Sequence, residues 1–381
     1  MSAKTYYLPT RIVTGRGSFQ QLGDICASCG RKALLVCGRH AAREGLVDRI
    51  QEMARSQGLE LTVHAEAGRE PTLSMVDEVV ALLRATACDV VVGLGGGSAM
   101  DLAKAVAGLA LLEGSTSGYF AGRPVDGASL PLVTVPTTAG TGAEVTKNAV
   151  LTDCASGAKA SIRDDRWYPR WAVLDPELGI TMPASVTAIS GSDALCQAIE
   201  AYTSIAATVV TDAMAERAIA LIGGSLERAY RHGDDLSPRE EMAYGSLLAG
   251  MALSNARLGA VHGMAHPLGA TFNLPHGLVC GLLLPYTMAY NAPETAKYAQ
   301  VARLLGVASR DMSEQELRQA AVERVKAIMR AVGIPARLGP LGVRVEDLDA
   351  IVHASLPSSS LKHNPRTLDA HDVRAILESA L

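Results

Sequence analysis

The sequence predicts an α/β domain built on a parallel sheet, followed by an all-α helical domain. Three observations carry that expectation. Short β-branched runs alternate with amphipathic stretches through the first 175 residues; long helical patterns replace them from Met182 onward; and an apolar share of 48% against 19% charged residues suffices for a large core in each half.

The strand-like runs are Arg31–Val36, Leu61–His64, Asp89–Val92, Leu132–Val135 and Trp171–Leu174, with helical patterns at Leu46–Gln57 and Thr72–Thr86 between them. Strand, helix, strand at this spacing argues for parallel pairing with helices on both faces of the sheet. Pro176 and Gly179 punctuate the change of pattern, so residues 1–178 read as the first domain and 179–381 as the second. In the second, helices are expected over Ala184–Ser204, Val210–Tyr230, Pro238–Arg257, Glu294–Leu305 and Glu314–Val332. A cleft between the domains is the expected place for a site.

Composition excludes several classes. With 35 Lys+Arg against 39 Asp+Glu, the 381-residue chain has a formal charge of −4 and is not a nucleic-acid binder by bulk charge. Seven cysteines, an odd number set mostly in apolar stretches, read as buried thiols of a reducing cytosol, with Cys26 and Cys29 forming a lone C-x-x-C. Residues 1–7 lack an apolar core, and the run Gly277–Pro293 is broken by Gly281, Pro285 and Asn291, so neither a signal peptide nor a membrane span is expected. A cytoplasmic protein follows. Glycine, at 36 residues, outnumbers Phe, Trp and Tyr together at 15, so the backbone must turn tightly or approach something closely at many points.

Asp89–Lys104 reads as a buried strand, a glycine turn ending in Gly95, Gly96 and Gly97, and a helix opening at Ser98. Such a turn lets backbone N–H groups close on a phosphate, and the helix N-terminus adds its positive end. The order is not G-x-G-x-x-G and the loop follows a middle strand, so a plain tight turn remains an alternative. Thr137–Thr146 is a second loop of small and hydroxyl residues, suited to close contact with a nucleotide. A dinucleotide fold that binds NAD places a carboxylate after its first strand for the ribose 2′-hydroxyl, whereas a 2′-phosphate needs a cation there. Gly38 and Arg39 occupy that place and favour NADP over NAD.

Three of the nine histidines, His262, His266 and His276, fall in one mostly apolar segment. Burying imidazoles is costly unless they are liganded or hydrogen-bonded. Upstream, Asp193 and Gln197 lie one turn apart on a helix face. A carboxylate, an amide oxygen and two imidazoles can hold a divalent first-row metal with a position left for substrate. By spacing alone His262 and His266 form the pair, at the interval of a helical metal clip. Histidines satisfied at a helix interface are the other reading.

These segments together resemble the iron-containing, or group III, alcohol dehydrogenase family. The likeness runs nearly end to end, through Leu8–Gly17, Gly95–Asp101, Pro136–Thr146, Leu174–Pro176, Asp193–Tyr202 and His262–Gly277, the last closest in wording to the lactaldehyde reductase branch. The resemblance implies a dehydroquinate synthase-like arrangement of a dinucleotide-binding domain and a helical metal-binding domain, in a homodimer or larger homo-oligomer. It implies metal ligands at Asp193, position 197, His262 and His276, with His266 beside the nicotinamide as proton relay. Gly95, Gly96, Gly97, Ser98 and Asp101 would serve the pyrophosphate, and Thr137 and Thr138 the adenosine side. Lys159 corresponds to a lysine near the nicotinamide ribose, and Asn148 to a substrate-pocket position. The implied reaction is reversible hydride transfer between a primary alcohol or its aldehyde and an NAD(P) nicotinamide, aided by a divalent metal. Fe²⁺ is the metal implied, with Zn²⁺ as the alternative.

One position departs from the family pattern. Where that pattern has Asp-x-x-x-His, this sequence has Asp193-x-x-x-Gln197, exchanging an imidazole nitrogen for an amide. A Gln oxygen is a weaker and harder ligand, so Fe²⁺ affinity should fall, although three strong ligands still suffice for a catalytic site. Cys196 is adjacent, but neighbouring side chains on a helix point about 100° apart, which argues against it as a ligand. Gln197 also keeps open a metal-independent reductase similar to maleylacetate reductase, and a decayed, non-catalytic nucleotide-binding homologue. A small uncharged aldehyde is the substrate class that the apolar composition favours.

Overall fold

The computed structural model describes residues 3–67 and 70–381. The described residues divide into two compact units: Leu8–Thr138 with Ala143–Gly179, and residues 3–7 and Ala139–Gly142 with Ile180–Leu381.

The first unit carries strands β1 (Arg11–Thr14), β2 (Lys32–Cys37), β3 (Glu60–His64), β4 (Val90–Gly95), β5 (Leu132–Pro136), β6 (Asn148–Thr152), β7 (Lys159–Arg163) and β8 (Trp171–Leu174). Its helices are α1 (Leu22–Ala27), α2 (Arg39–Arg43), α3 (Leu46–Ser56), α4 (Leu73–Ala85), α5 (Gly97–Leu109) and α6 (Thr116–Phe120). Six strands make a wholly parallel sheet in the order β1-β8-β5-β4-β2-β3, and β6 pairs antiparallel with β7 as a separate hairpin.

The period-2 alternation of β2 explains why the sheet is covered on both sides. Leu34 and Val36 enter a core with Val76 and Leu83 of α4 and Leu102 and Val106 of α5, whereas Ala33, Leu35 and Cys37 enter another with Leu22 of α1 and Ile50 and Ala54 of α3. Strands buried on both faces read as continuous apolar runs, which is why the central ones stand out in sequence. β1, β6 and β7 carry no such signal in the sequence, being short and only partly buried. Sheet order reverses at β2, with β3 on one side and β4 on the other, so the C-terminal ends of β2 and β4 flank a topological switch point.

The second unit is helical: α7 (Ala184–Thr203), α8 (Val209–Arg231), α9 (Leu236–Ala256), α10 (Ala260–Phe272), α11 (His276–Asn291), α12 (Lys297–Leu304), α13 (Glu314–Ala331), α14 (Leu348–Ser355) and α15 (Ala370–Ala380). Capping boxes start α8 at Thr208 with Thr211, and α13 at Ser313 with Glu316. One apolar core binds the unit, with Leu195, Ile199, Ile219 and Leu283 fully buried, each stabilising the fold by about 1.5–3 kcal/mol. No sequence pattern marked α10 or α11, because glycines interrupt both and each carries an internal proline, Pro267 and Pro285. Among the described residues no helix is long and apolar enough to cross a membrane.

Candidate functional site

In the helical unit, α7 sets Asp193, Gln197 and Glu200 on one buried face at one-turn intervals. His262 lies in the first turn of α10. That helix ends at Asn273, whose φ of 52° is left-handed, and after this tight turn α11 opens with His276. A Cβ on Gly277 would stand 2.2 Å from the Ile189 carbonyl oxygen, so only glycine lets the first turn of α11 press against α7. The outcome is convergence. His262 Nε2 lies 3.3 Å and His276 Nε2 3.7 Å from Asp193 Oδ1.

Cys280, one turn beyond His276, joins them. Its sulfur is 3.5 Å from His276 Nε2 and 3.9 Å from His262 Nε2, and one donor atom from each of the four residues lies within 4.8 Å of the others. Behind His262, Glu200 Oε2 is 2.5 Å from Nδ1 and Glu200 Oε1 accepts from the Val261 N–H at 2.7 Å. The far ring nitrogen is thus held by a carboxylate, which fixes the near one toward Asp193. Gln197 turns its amide N–H to Asp193 Oδ2 at 2.9 Å.

Two oxygens in this cluster, Asp193 Oδ1 and Gln197 Oε1, are buried without a hydrogen-bond partner. Leaving the carboxylate oxygen so is costly, and a cation beside Asp193 Oδ1 removes that cost. The electrostatics agree. Burial works against charge on His262 and His276, yet Cys280 with Glu200 and Asp193 raises the first well above the usual imidazole range, and Cys280 with Asp193 raises the second. Burial likewise opposes ionisation of Cys280, but Cys196 and the two imidazoles overcome it and hold the thiol well below its ordinary range. A buried site that draws protons to two histidines is one where a divalent cation can take their place. The residues present fit a metal.

The arrangement replaces the pairing read from spacing alone. His266 stands outside the cluster of donor atoms and stacks on His276 instead, with ring centroids 4.9 Å apart and planes at 23°. Cys196 lies on the far side of His262, its sulfur 3.9 Å from Nδ1. Two residues, Cys280 and Glu200, escaped the sequence reading. Both carry a findable signal: Cys280 follows His276 by four residues, and Glu200 follows Asp193 by seven on the same helix face. All seven cysteines are free, and burial, then Cys29, push the Cys26 thiol up to about 12, an inert state for that C-x-x-C.

In the α/β unit, β4 runs into Gly95, whose φ of 143° suits glycine, and Gly96 caps α5 without a side-chain hydrogen bond. The helix starts at Gly97, one residue before the expected Ser98. Thr137 N–H donates to Gly95 O at 2.9 Å, and Thr138 Oγ1 would be 3.3 Å from a Cβ on Gly96, so both threonines border the turn. Asp101 is engaged within the unit, accepting from Val150 N–H at 3.1 Å and Lys104 Nζ at 3.3 Å. Fully buried Lys104 also donates to Thr146 Oγ1 at 3.1 Å and to the Asn148 carbonyl at 2.8 Å, pinning the start of β6. Lys159 opens β7 and pairs with Glu70. Gly38 and Arg39 follow β2, and Arg39 Nη2 lies 3.3 Å from Glu66 Oε2. A carboxylate is therefore present at the switch point, supplied from beyond the end of β3 rather than from β2.

The family model described as iron-containing alcohol dehydrogenase matches residues 9–176, and that of the Fe-containing alcohol dehydrogenase family, C-terminal, matches residues 187–381. The chain belongs to the iron-containing alcohol dehydrogenase family. It is an oxidoreductase, a metal-dependent, NAD(P)-linked alcohol dehydrogenase or aldehyde reductase. Lactaldehyde reductase of Escherichia coli (strain K12) is 38% identical over 377 residues, 96% of each chain. NAD-dependent methanol dehydrogenase of Bacillus methanolicus is 34% identical over 378 residues, 99% of each. The crystal structure of a 1,3-propanediol oxidoreductase superposes with a TM-score of 0.96 at 36% identity, covering 100% of both chains.

Proposed function

We propose that this alcohol dehydrogenase reversibly reduces small uncharged aldehydes to primary alcohols, at a metal held by Asp193, His262 and His276. The convergence of the His262 and His276 Nε2 atoms on Asp193 Oδ1, a buried oxygen that accepts no hydrogen bond, is the observation that carries the reading. A divalent cation there supplies Lewis-acid polarisation of the reacting oxygen, worth several kcal/mol of barrier. Asp193, His262 and His276 bind it, Glu200 fixes the His262 ring, and Gln197 holds the Asp193 carboxylate from behind. His266, stacked on His276, is the proton relay, a task suited to imidazole near neutral pH. The turn Gly95–Gly97 with Ser98 receives the pyrophosphate on backbone N–H groups, with Asp101 on the same helix, and Thr137 and Thr138 face the adenosine side. Lys159 serves the nicotinamide ribose, Asn148 the substrate pocket, and Gly38 and Arg39 the adenosine ribose. Hydride chemistry itself belongs to the nicotinamide.

Relatives named for lactaldehyde, methanol and 1,3-propanediol support a short substrate. The exposed apolar side chains of Ile205, Val209 and Val210 support a homo-oligomer, a dimer or larger, and the placement proposed is cytoplasmic. The test is an assay of the purified protein with NADPH and NADH against short aldehydes, before and after chelation and with metal added back. Loss on chelation and recovery with Fe²⁺ or Zn²⁺ is expected. Turnover indifferent to chelation overturns the metal-dependent reading, and nucleotide binding without turnover points to a decayed site.

A further inference from the structure

We propose that Cys280 supplies a thiolate to the metal, so that the donor set of this chain is Asp193, His262, His276 and Cys280. The inference rests on the reading that this site holds a metal. The family pattern places an imidazole at position 197, but here Gln197 gives its amide N–H to Asp193 Oδ2 at 2.9 Å and acts as a positioning residue. The fourth donor comes from α11 instead. Cys280 is fully buried, and its sulfur lies on the same side of both histidines as Asp193, facing the Nε2 atoms.

The distances suit coordination. A tetrahedral centre with metal–sulfur and metal–nitrogen bonds of roughly 2.3 and 2.0 Å holds those two donors about 3.5 Å apart. Cys280 Sγ and His276 Nε2 are 3.5 Å apart, and Asp193 Oδ1 and His262 Nε2 are 3.3 Å apart. On binding, the thiol proton leaves to solvent and the sulfur donates an electron pair, with no change of oxidation state. A thiolate is a softer and stronger donor than an amide oxygen, so it offsets the loss of an imidazole at position 197 and tilts the site toward Zn²⁺.

Cobalt substitution tests this on the full chain. The protein is stripped and reloaded with Co²⁺, and its electronic spectrum is recorded for wild type, Cys280→Ser, Cys280→Ala and Cys196→Ala. Wild type and Cys196→Ala should show a near-ultraviolet sulfur-to-cobalt charge-transfer band. Both Cys280 variants should bind cobalt without the band and hold Zn²⁺ at least roughly tenfold more weakly, beyond the lower end of what supporting groups contribute. Circular dichroism confirms that each variant is folded, and the serine form keeps the side-chain volume. A wild-type protein that binds cobalt without the band, or a band that survives Cys280→Ser, overturns the thiolate and leaves the metal reading standing. A wild-type protein that takes up neither cobalt nor zinc overturns both.

Discussion

Glu200 Oε2 lies 2.5 Å from His262 Nδ1, while the opposite ring nitrogen faces Asp193 Oδ1 at 3.3 Å. A buried carboxylate in this position fixes the ring's tautomer and raises its basicity toward a cation. Glu200→Ala should therefore weaken metal binding by about 10–100-fold, with Glu200→Gln in between because its oxygen can still accept from the ring. Equilibrium dialysis against a metal buffer measures this. Unchanged affinity in the alanine variant would separate Glu200 from the metal.

His266 stacks on His276 without joining the donor cluster, so its roles in binding and in proton transfer can be separated. His266→Ala should keep its metal while kcat falls by a factor on the order of 10²–10⁴, the usual contribution of a positioned acid–base group. Full activity across the pH range would refute the relay.

If the proposed nucleotide site is right, Arg39 and Glu66 oppose each other in choosing the nucleotide. The guanidinium suits a 2′-phosphate and the carboxylate suits a ribose hydroxyl, and the two lie 3.3 Å apart on an exposed surface where the pair itself stabilises little. Arg39→Ala should lower kcat/KM for NADPH by about tenfold, the worth of one charged hydrogen bond, and Glu66→Ala should shift preference toward NADPH. Steady-state kinetics with both cofactors decides it. Equal changes for NADH and NADPH would show that neither residue reads the 2′ position.

In the segment that follows β5, burial pushes the Glu144 carboxyl up to about 7 from an ordinary 4.5, against the pull of its own backbone and of Lys104. The folded pKa exceeds the unfolded one, so the fold favours the protonated form. Its stabilising preference is complete below pH 4.5 and is lost as pH rises through 7. Glu144→Gln, permanently neutral, should match wild type near the acid end and become more stable by about 3 kcal/mol above pH 7. Urea titrations at several pH values measure the difference. A gap that stays constant with pH would assign the carboxyl no such shift.

Legibility in the sequence followed burial and chain separation. Arg31–Val36 and Asp89–Val92 were plain because both faces of those strands are covered, whereas the half-exposed β6 and β7 were not. Asp193, His262 and His276 could be listed from sequence, but spacing favoured His266 over His276 as partner. The turn at Asn273 reverses that choice by folding α11 back on α10, a tertiary effect that a helical interval cannot show. Glu66 illustrates the same limit: the carboxylate sought after the first strand arrives beside Arg39 from the neighbouring one. Cys280 was hidden for another reason, since a lone cysteine in an apolar helix has the sequence signature of core.

The central claim is that Asp193, His262 and His276 hold the metal on which hydride transfer depends. Titrating metal-free protein with Fe²⁺ or Zn²⁺ while following NAD(P)H oxidation by a short aldehyde tests it most directly. Activity should rise in proportion to bound metal and break at a single equivalent per chain, with Asp193→Ala binding little and gaining nothing. Activity that is already full in the metal-free protein, or that rises equally in Asp193→Ala, would contradict the account.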